Sequence, residues 1–311
     1  MNKSYRGRLG QIPIYLGKCF RTFIYMDDWK VLPMSAIVAG LVAVVGCQNI
    51  FVTMEGTTIG AFALTCVCIW TGMFNSIQVV CRERNIVKRE HRSGMHISSY
   101  IISHMIYQAC LCILQTVIIL AVCYVAGLKF PTAGIISPWF MLDAGITFFL
   151  VLYSSDMLSL MVSSIVSNPT AAMTVVPFLL IVQLVFSGTM FHLEAPFSIF
   201  SNLTVSKWGM ECLCSIGNYN SLPMVTLWNQ IFAYRGVEVG GVKPIKTITD
   251  YMMQNNLVEK FNLMIGQYNA NDAYAATKSH VMDCWGVLLL FAFIYALIAI
   301  IFLERIDRDK R

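Results

Sequence analysis

Charge is what this chain has least of. Only 13% of its 311 residues are Asp, Glu, Lys or Arg, while 57% are hydrophobic, and the mean hydropathy is +0.65. A soluble domain carries about 25% charged residues, so a surface that meets water on every side is excluded. The apolar residues gather in blocks of about 20, the length that crosses a hydrocarbon layer roughly 30 Å thick. This pattern predicts an all-α, multi-span integral membrane protein. A signal peptide is not expected either: "MNKSYRGRLGQIP" is polar and basic, with no apolar stretch and small-residue cleavage site behind it.

Catalytic signatures are also missing. The chain has no GxSxG elbow, no HExxH pair and no GxxxxGK[ST] phosphate loop, so it is not expected to hydrolyse a nucleotide itself. Eleven cysteines are present without a single CxxC pair. Most of them, including Cys47, Cys66, Cys68, Cys110, Cys112 and Cys123, sit inside apolar runs, where they act as small hydrophobes. The histidines (His91, His96, His104, His192, His280) are scattered near span edges, and no metal site is expected. No soluble domain, internal repeat or low-complexity tract is visible.

What is present in clusters is positive charge. Fifteen of the 22 lysines and arginines fall in residues 1–30, 82–92 and 304–311, beside predicted spans. That distribution follows the positive-inside rule rather than a nucleic-acid footprint. Six spans are predicted, at about 31–52, 58–80, 99–127, 138–165, 169–191 and 281–303. Both termini and the 82–92 loop then lie in the cytoplasm of a multi-pass plasma-membrane protein. Residues 8–29 place Leu9, Ile12, Leu16, Cys19, Phe20 and Phe23 at helical spacing, which predicts an amphipathic helix in the membrane interface. The large external segment, 192–280, contains apolar stretches too short to span. It reads as a re-entrant or interfacial hairpin packed within protein.

Polar groups inside the spans are few. Asp143 and Asp156 are thirteen residues apart on the fourth span, which puts them on different faces. Asp143 and Asp283 lie near external ends and are expected to be solvated. Asp156 is either a hydrogen-bonding partner of a neighbouring span or a functional acid. His104, Gln108 and Gln115 share one face of the third span, as interhelical contacts or as part of a transport path. Cys212 and Cys214 are too close in sequence to bridge each other without strain, leaving Cys284 or a second copy as alternatives.

The stretch "CRERNIVKREHRSGMHISSY" (81–100) holds the densest charge. Glu83 and Glu90 fall on one helical face among Arg82, Arg84, Lys88, Arg89 and Arg92, and Ser93-Gly94 breaks the helix before the third span. Five cations exceed what topology needs, which predicts a structured, charged cytoplasmic elbow over 81–98. Glu83-Arg84, Arg89-Glu90, Ser93-Gly94 and Ser99-Tyr100 resemble the "ER…RE…sG…saY" run of G-subfamily (White-type) ABC transporter membrane domains. Phe186-Ser187-Gly188 resembles that family's "FSG", and "SNLTVSKWGMECL" is similar to its re-entrant "YgfEAL" segment through Trp208, Gly209 and Glu211.

The resemblance implies one exporter-type membrane domain over 1–311, with 8–29 as its elbow helix. Glu83, Arg84, Arg89, Glu90 and Gly94 would couple to an ATPase. Trp70, Phe74, Leu180 and Leu184 would line a substrate pathway, and Thr189 and Met190 would form an external plug. It further implies a homodimer or heterodimer, alternating access, and a hydrophobic or amphipathic cargo. ATP and Mg would be held by a separate ATP-binding subunit, since family members usually carry that domain ahead of the elbow helix. Residues 236–280 match nothing in the family pattern. The competing class, an ATP-independent secondary transporter or channel, often shows helices broken by Gly or Pro in matching halves, and none is seen.

Overall fold

The computed structural model describes residues 7–25, 28–47, 49–188, 198–222, 231–232, 234–258 and 270–305. Regular structure among them is helical, apart from one isolated bridge between Val239 and Val242. The helices are α1 (Arg8–Tyr25), α2 (Val31–Gly46), α3 (Met54–Ser76), α4 (Val79–Arg92), α5 (Ile97–Val125) and α6 (Phe140–Ile165). They are followed by α7 (Pro169–Val185), the single turn α8 (Ser198–Ser201), α9 (Val205–Ile216), α10 (Pro244–Gln254) and α11 (Lys278–Glu304).

Among the described residues, five helical stretches are long and apolar enough to cross a membrane: Asp28–Gly46, Met54–Arg92, Ile97–Val125, Phe140–Ile165 and Lys278–Glu304. The predicted fifth span is present as α7, whose 17 residues measure about 26 Å at 1.5 Å per residue, short of the roughly 30 Å layer. Pro169 opens α7 behind an extended Asn168, a position where the missing N–H costs nothing. The last residues of the predicted span, from 189, lie outside the described ones, and so do the plug residues Thr189 and Met190. At 29 residues, α5 runs about 43 Å, longer than the roughly 30 Å apolar layer.

The bundle is organised around α6, which buries 18 of its 26 residues and touches α3, α4, α5, α7, α9 and α11. Small residues make this possible. Ser154, Ser155, Ser159, Ser163 and Ser164 are all buried on α6. A β-carbon on Gly72 of α3 would overlap the Leu152 carbonyl. By contrast α2 and α7 bury only three residues each, leaving long apolar faces open.

Polar side chains inside the bundle are tied to one another. The Ser76 hydroxyl donates to Asp156 Oδ1, the Cys112 thiol reaches Oδ2 at 3.4 Å, and Gln108 Nε2 donates to Ser76 Oγ at 2.6 Å. Asn75 and Gln115 exchange two amide hydrogen bonds of 2.8 and 2.9 Å. Asp156 is thus an interhelical acceptor joining α3, α5 and α6.

Asp143 departs from expectation. It is fully buried rather than solvated, because the loop before α6 folds back on it. The backbone N–H groups of Ile135, Ile136 and Ser137 donate to its carboxylate at 2.8, 2.9 and 3.0 Å. Burial of a carboxylate is tolerated where several donors replace water. Asp283 is exposed, as its position predicts.

Candidate functional site

The charged stretch after the second span forms α4, and almost every contact it makes braces it. Its N-terminus is capped from another helix: Ser163 Oγ of α6 accepts the backbone N–H of Val80 at 3.0 Å and of Cys81 at 3.2 Å, which satisfies donors that a helix start leaves open. Arg84 returns the contact, donating through Nη1 to the carbonyls of Ser164 (3.0 Å) and Val166 (3.2 Å) at the end of α6. A cation there also complements the negative end of the helix dipole.

The C-terminus of α4 closes in a Schellman motif. Gly94 takes φ 102, its N–H bonds the His91 carbonyl at 3.0 Å, and the Met95 N–H bonds the Glu90 carbonyl at 3.0 Å. A side chain at position 94 would have to adopt a left-handed conformation that glycine alone reaches without strain. The turn is then clamped by α1. Gln11 Nε2 donates to the Gly94 carbonyl at 3.1 Å, and Gln11 Oε1 accepts the His96 N–H at 2.9 Å. Further along, the Ser99 and Ser103 hydroxyls donate to the Arg8 and Ile12 carbonyls at 2.8 and 3.0 Å.

Glu83 and Glu90 share the side of α4 that faces α1. Glu83 pairs with Lys18 at 3.0 Å. The Tyr15 hydroxyl stands near the Glu90 carboxylate, whose Oε2 is buried with no hydrogen-bond partner among the described residues. Burial pushes the Tyr15 hydroxyl up to about 12, with the Glu90 carboxylate adding to the shift. Burial likewise pushes the Cys19 thiol up to about 12. Another side of α4 is exposed: Arg82, Asn85, Ile86, Arg89 and Arg92 fall three or four apart, a basic stripe with an apolar residue in its middle, at whose edge Arg82 pairs with Asp28 at 3.8 Å. A cavity of about 200 Å³ lies beside this assembly, lined by Lys18, Cys19, Phe74, Asn75, Tyr100 and Gln108 among others.

Trp70 and Phe74 stack on each other at 5.9 Å and are 49% and 38% exposed on the surface of α3. On the neighbouring α7, Leu180 and Leu184 are half-buried and Leu180 packs against the core. Phe178, Ile181 and Val182 form its open face. The expected pathway residues are therefore on adjacent helices, with different sides of α7 turned inward and outward.

The predicted re-entrant piece is α9, which buries ten of its 12 residues between α3, α6, α7 and α11. Gly209 lets it sink: a β-carbon there would stand 2.6 Å from Val151 Cγ2 and 2.9 Å from Thr65 Cγ2. Trp208 Nε1 donates to the Asn202 carbonyl at 2.9 Å. Glu211 sits 3.6 Å from Lys207, and burial raises its carboxyl above the ordinary range, opposed by Lys207 and His280. Sequence reasoning expected no metal-ligand cluster, yet Glu211, His280 and Cys284 converge here. The four-residue spacing of His280 and Cys284 was the only legible hint, because Glu211 belongs to a helix far away in sequence.

The described residues thus form a multi-helix apolar bundle with a charged, braced connecting helix and a short buried helix, α9. Residues 18–216 match the family described as ABC-2 type transporter, which covers more than half the chain. The protein belongs to the ABC-2 type transporter family, and it is a multi-pass permease component of the G-type kind. No curated protein matches the chain.

Proposed function

We propose that this chain is the membrane subunit of an ATP-driven exporter whose ATPase is a separate subunit docking on the open side of α4. The observation that carries the reading is the bracing of α4. Its inner side is fixed to α1 and α6 by caps, an ion pair and a clamped turn, while Arg82, Ile86, Arg89 and Arg92 are exposed. A helix held this way transmits a push to the bundle rather than bending under it.

In this reading both termini are cytoplasmic and two copies, identical or related, face each other across the open sides of α3 and α7. The Trp70–Phe74 stack and the exposed Phe178, Ile181 and Val182 suit a hydrophobic or amphipathic cargo. ATP and Mg bind the partner, and closure of the ATPase pair is favoured only as far as ATP binds the closed state more tightly. Co-purification of the tagged chain with an ATP-binding subunit is the expected result. Glu90→Ala should leave that complex assembled but uncouple ATP hydrolysis from transport. Wild-type export by Glu90→Ala, or purification without any ATPase from native membranes, would overturn the reading.

A further inference from the structure

The end of the bundle away from α4 gathers a second set of chemically able side chains. His280 and Cys284 lie four residues apart on one face of α11, and the fold brings Glu211 of α9 to them. One ligand atom from each of the three lies within 4.8 Å of the others. A sulfur, an imidazole and a carboxylate suit a borderline-soft divalent cation, with a water completing its tetrahedron.

The surroundings support a site rather than a chance meeting. Trp285, next to Cys284, donates its indole N–H to Thr147 Oγ1 of α6 at 3.0 Å, which holds the first turns of α11 in place. His280 Nε2 lies 2.9 Å from the Ala273 carbonyl and 3.8 Å from Cys284 Sγ; on ion binding it exchanges the carbonyl for the ion.

The Glu211 carboxylate has Lys207 as its cation at 3.6 Å, longer than the roughly 2.7–2.9 Å of a charge-assisted hydrogen bond. Lys207 has other anchors, the Asn202 side-chain oxygen and the Trp208 ring at 5.2 Å. The carboxylate can therefore turn to an ion without stranding the ammonium.

We propose that Glu211, His280 and Cys284 form a three-donor site for a thiophilic divalent cation of the zinc class, which staples the buried α9 to the first turns of α11. Binding releases the Cys284 thiol proton to solvent as the sulfur becomes a thiolate. The full chain in lipid nanodiscs, prepared metal-free with its thiols reduced, would be titrated with Co2+ as a spectroscopic stand-in for Zn2+. One ion per chain is expected, with a thiolate-to-cobalt charge-transfer band that bleaches when Zn2+ is added. Cys284→Ser and His280→Ala should each weaken binding by about tenfold or more, while eluting as folded protein. Lys207→Met should tighten binding several-fold by removing the competing cation, a direction that a damaged fold does not produce. The proposal is overturned if Co2+ gives no thiolate band, if Cys284→Ser keeps the parent spectrum and affinity, or if Lys207→Met binds no tighter than the parent. A Cys212–Cys284 disulfide in protein isolated without reductant would overturn it equally, since it occupies the ligand sulfur of Cys284.

Discussion

The two ends of the bundle handle ionic groups in opposite ways. Around α4 the charges are numerous and mostly reach water: the Lys18 and Glu83 side chains are 33% and 19% exposed, and Arg82, Arg89 and Arg92 line an open face. Around the start of α6 and α9 they are few and enclosed, with Asp143 fully buried and Glu211 only 9% exposed. The difference teaches where each end has its tolerance. An ion pair in contact with water contributes little and is lost cheaply. A buried carboxylate is stable only while every donor around it stays in place, so single changes there cost most.

Three substitutions and one double-mutant cycle test that contrast, and their order is itself the expectation. Asp143→Ala should be the most damaging, leaving the N–H groups of Ile135, Ile136 and Ser137 without their acceptor. A loss of about 3 kcal/mol or more is expected, read as a lowered midpoint of thermal unfolding in detergent. Gly72→Ala should follow at about 2 kcal/mol, since the added methyl meets the Leu152 carbonyl and pushes α3 from α6. Arg84→Ala removes two bonds to the end of α6 and should cost about 1–2 kcal/mol. Limited proteolysis of the α6–α7 junction would detect its loosening.

Weakest of all should be the exposed pair. A double-mutant cycle on Lys18 and Glu83 should give a coupling below about 1 kcal/mol that fades further in high salt. A coupling there as large as the Asp143→Ala loss would erase the distinction between the ends. An Arg84→Ala effect as small as the Lys18–Glu83 coupling would show that α4 is not braced by its contacts with α6.

Much of the fold was legible because a membrane enforces its own grammar. Length and apolarity mark the spans, and the basic clusters between them mark the elbow at 81–98. Gly94 was readable as a helix stop for a local reason, the left-handed turn it permits. The Asp143 environment was not readable, since nothing in the sequence says that residues 135–137 turn their N–H groups back toward α6. Equally hidden was the division of labour on α4. Spacing placed Glu83 and Glu90 on one side, but only packing revealed that this side is occupied by Lys18 and Tyr15 of α1. The outward stripe is instead Arg82, Ile86, Arg89 and Arg92.

By itself the sequence determined that this protein is a helical membrane bundle, where most of its spans run, and which short segment between two of them carries the charge. These follow from hydrophobic length and from local turn chemistry, both of which act over a few neighbouring residues. The tertiary structure alone decided that Ser163 caps α4, that α9 sinks between α3, α6 and α11, and that Glu211 meets His280 and Cys284. Each of those contacts joins residues dozens of positions apart, and such meetings are set by how helices pack rather than by anything a neighbouring residue imposes.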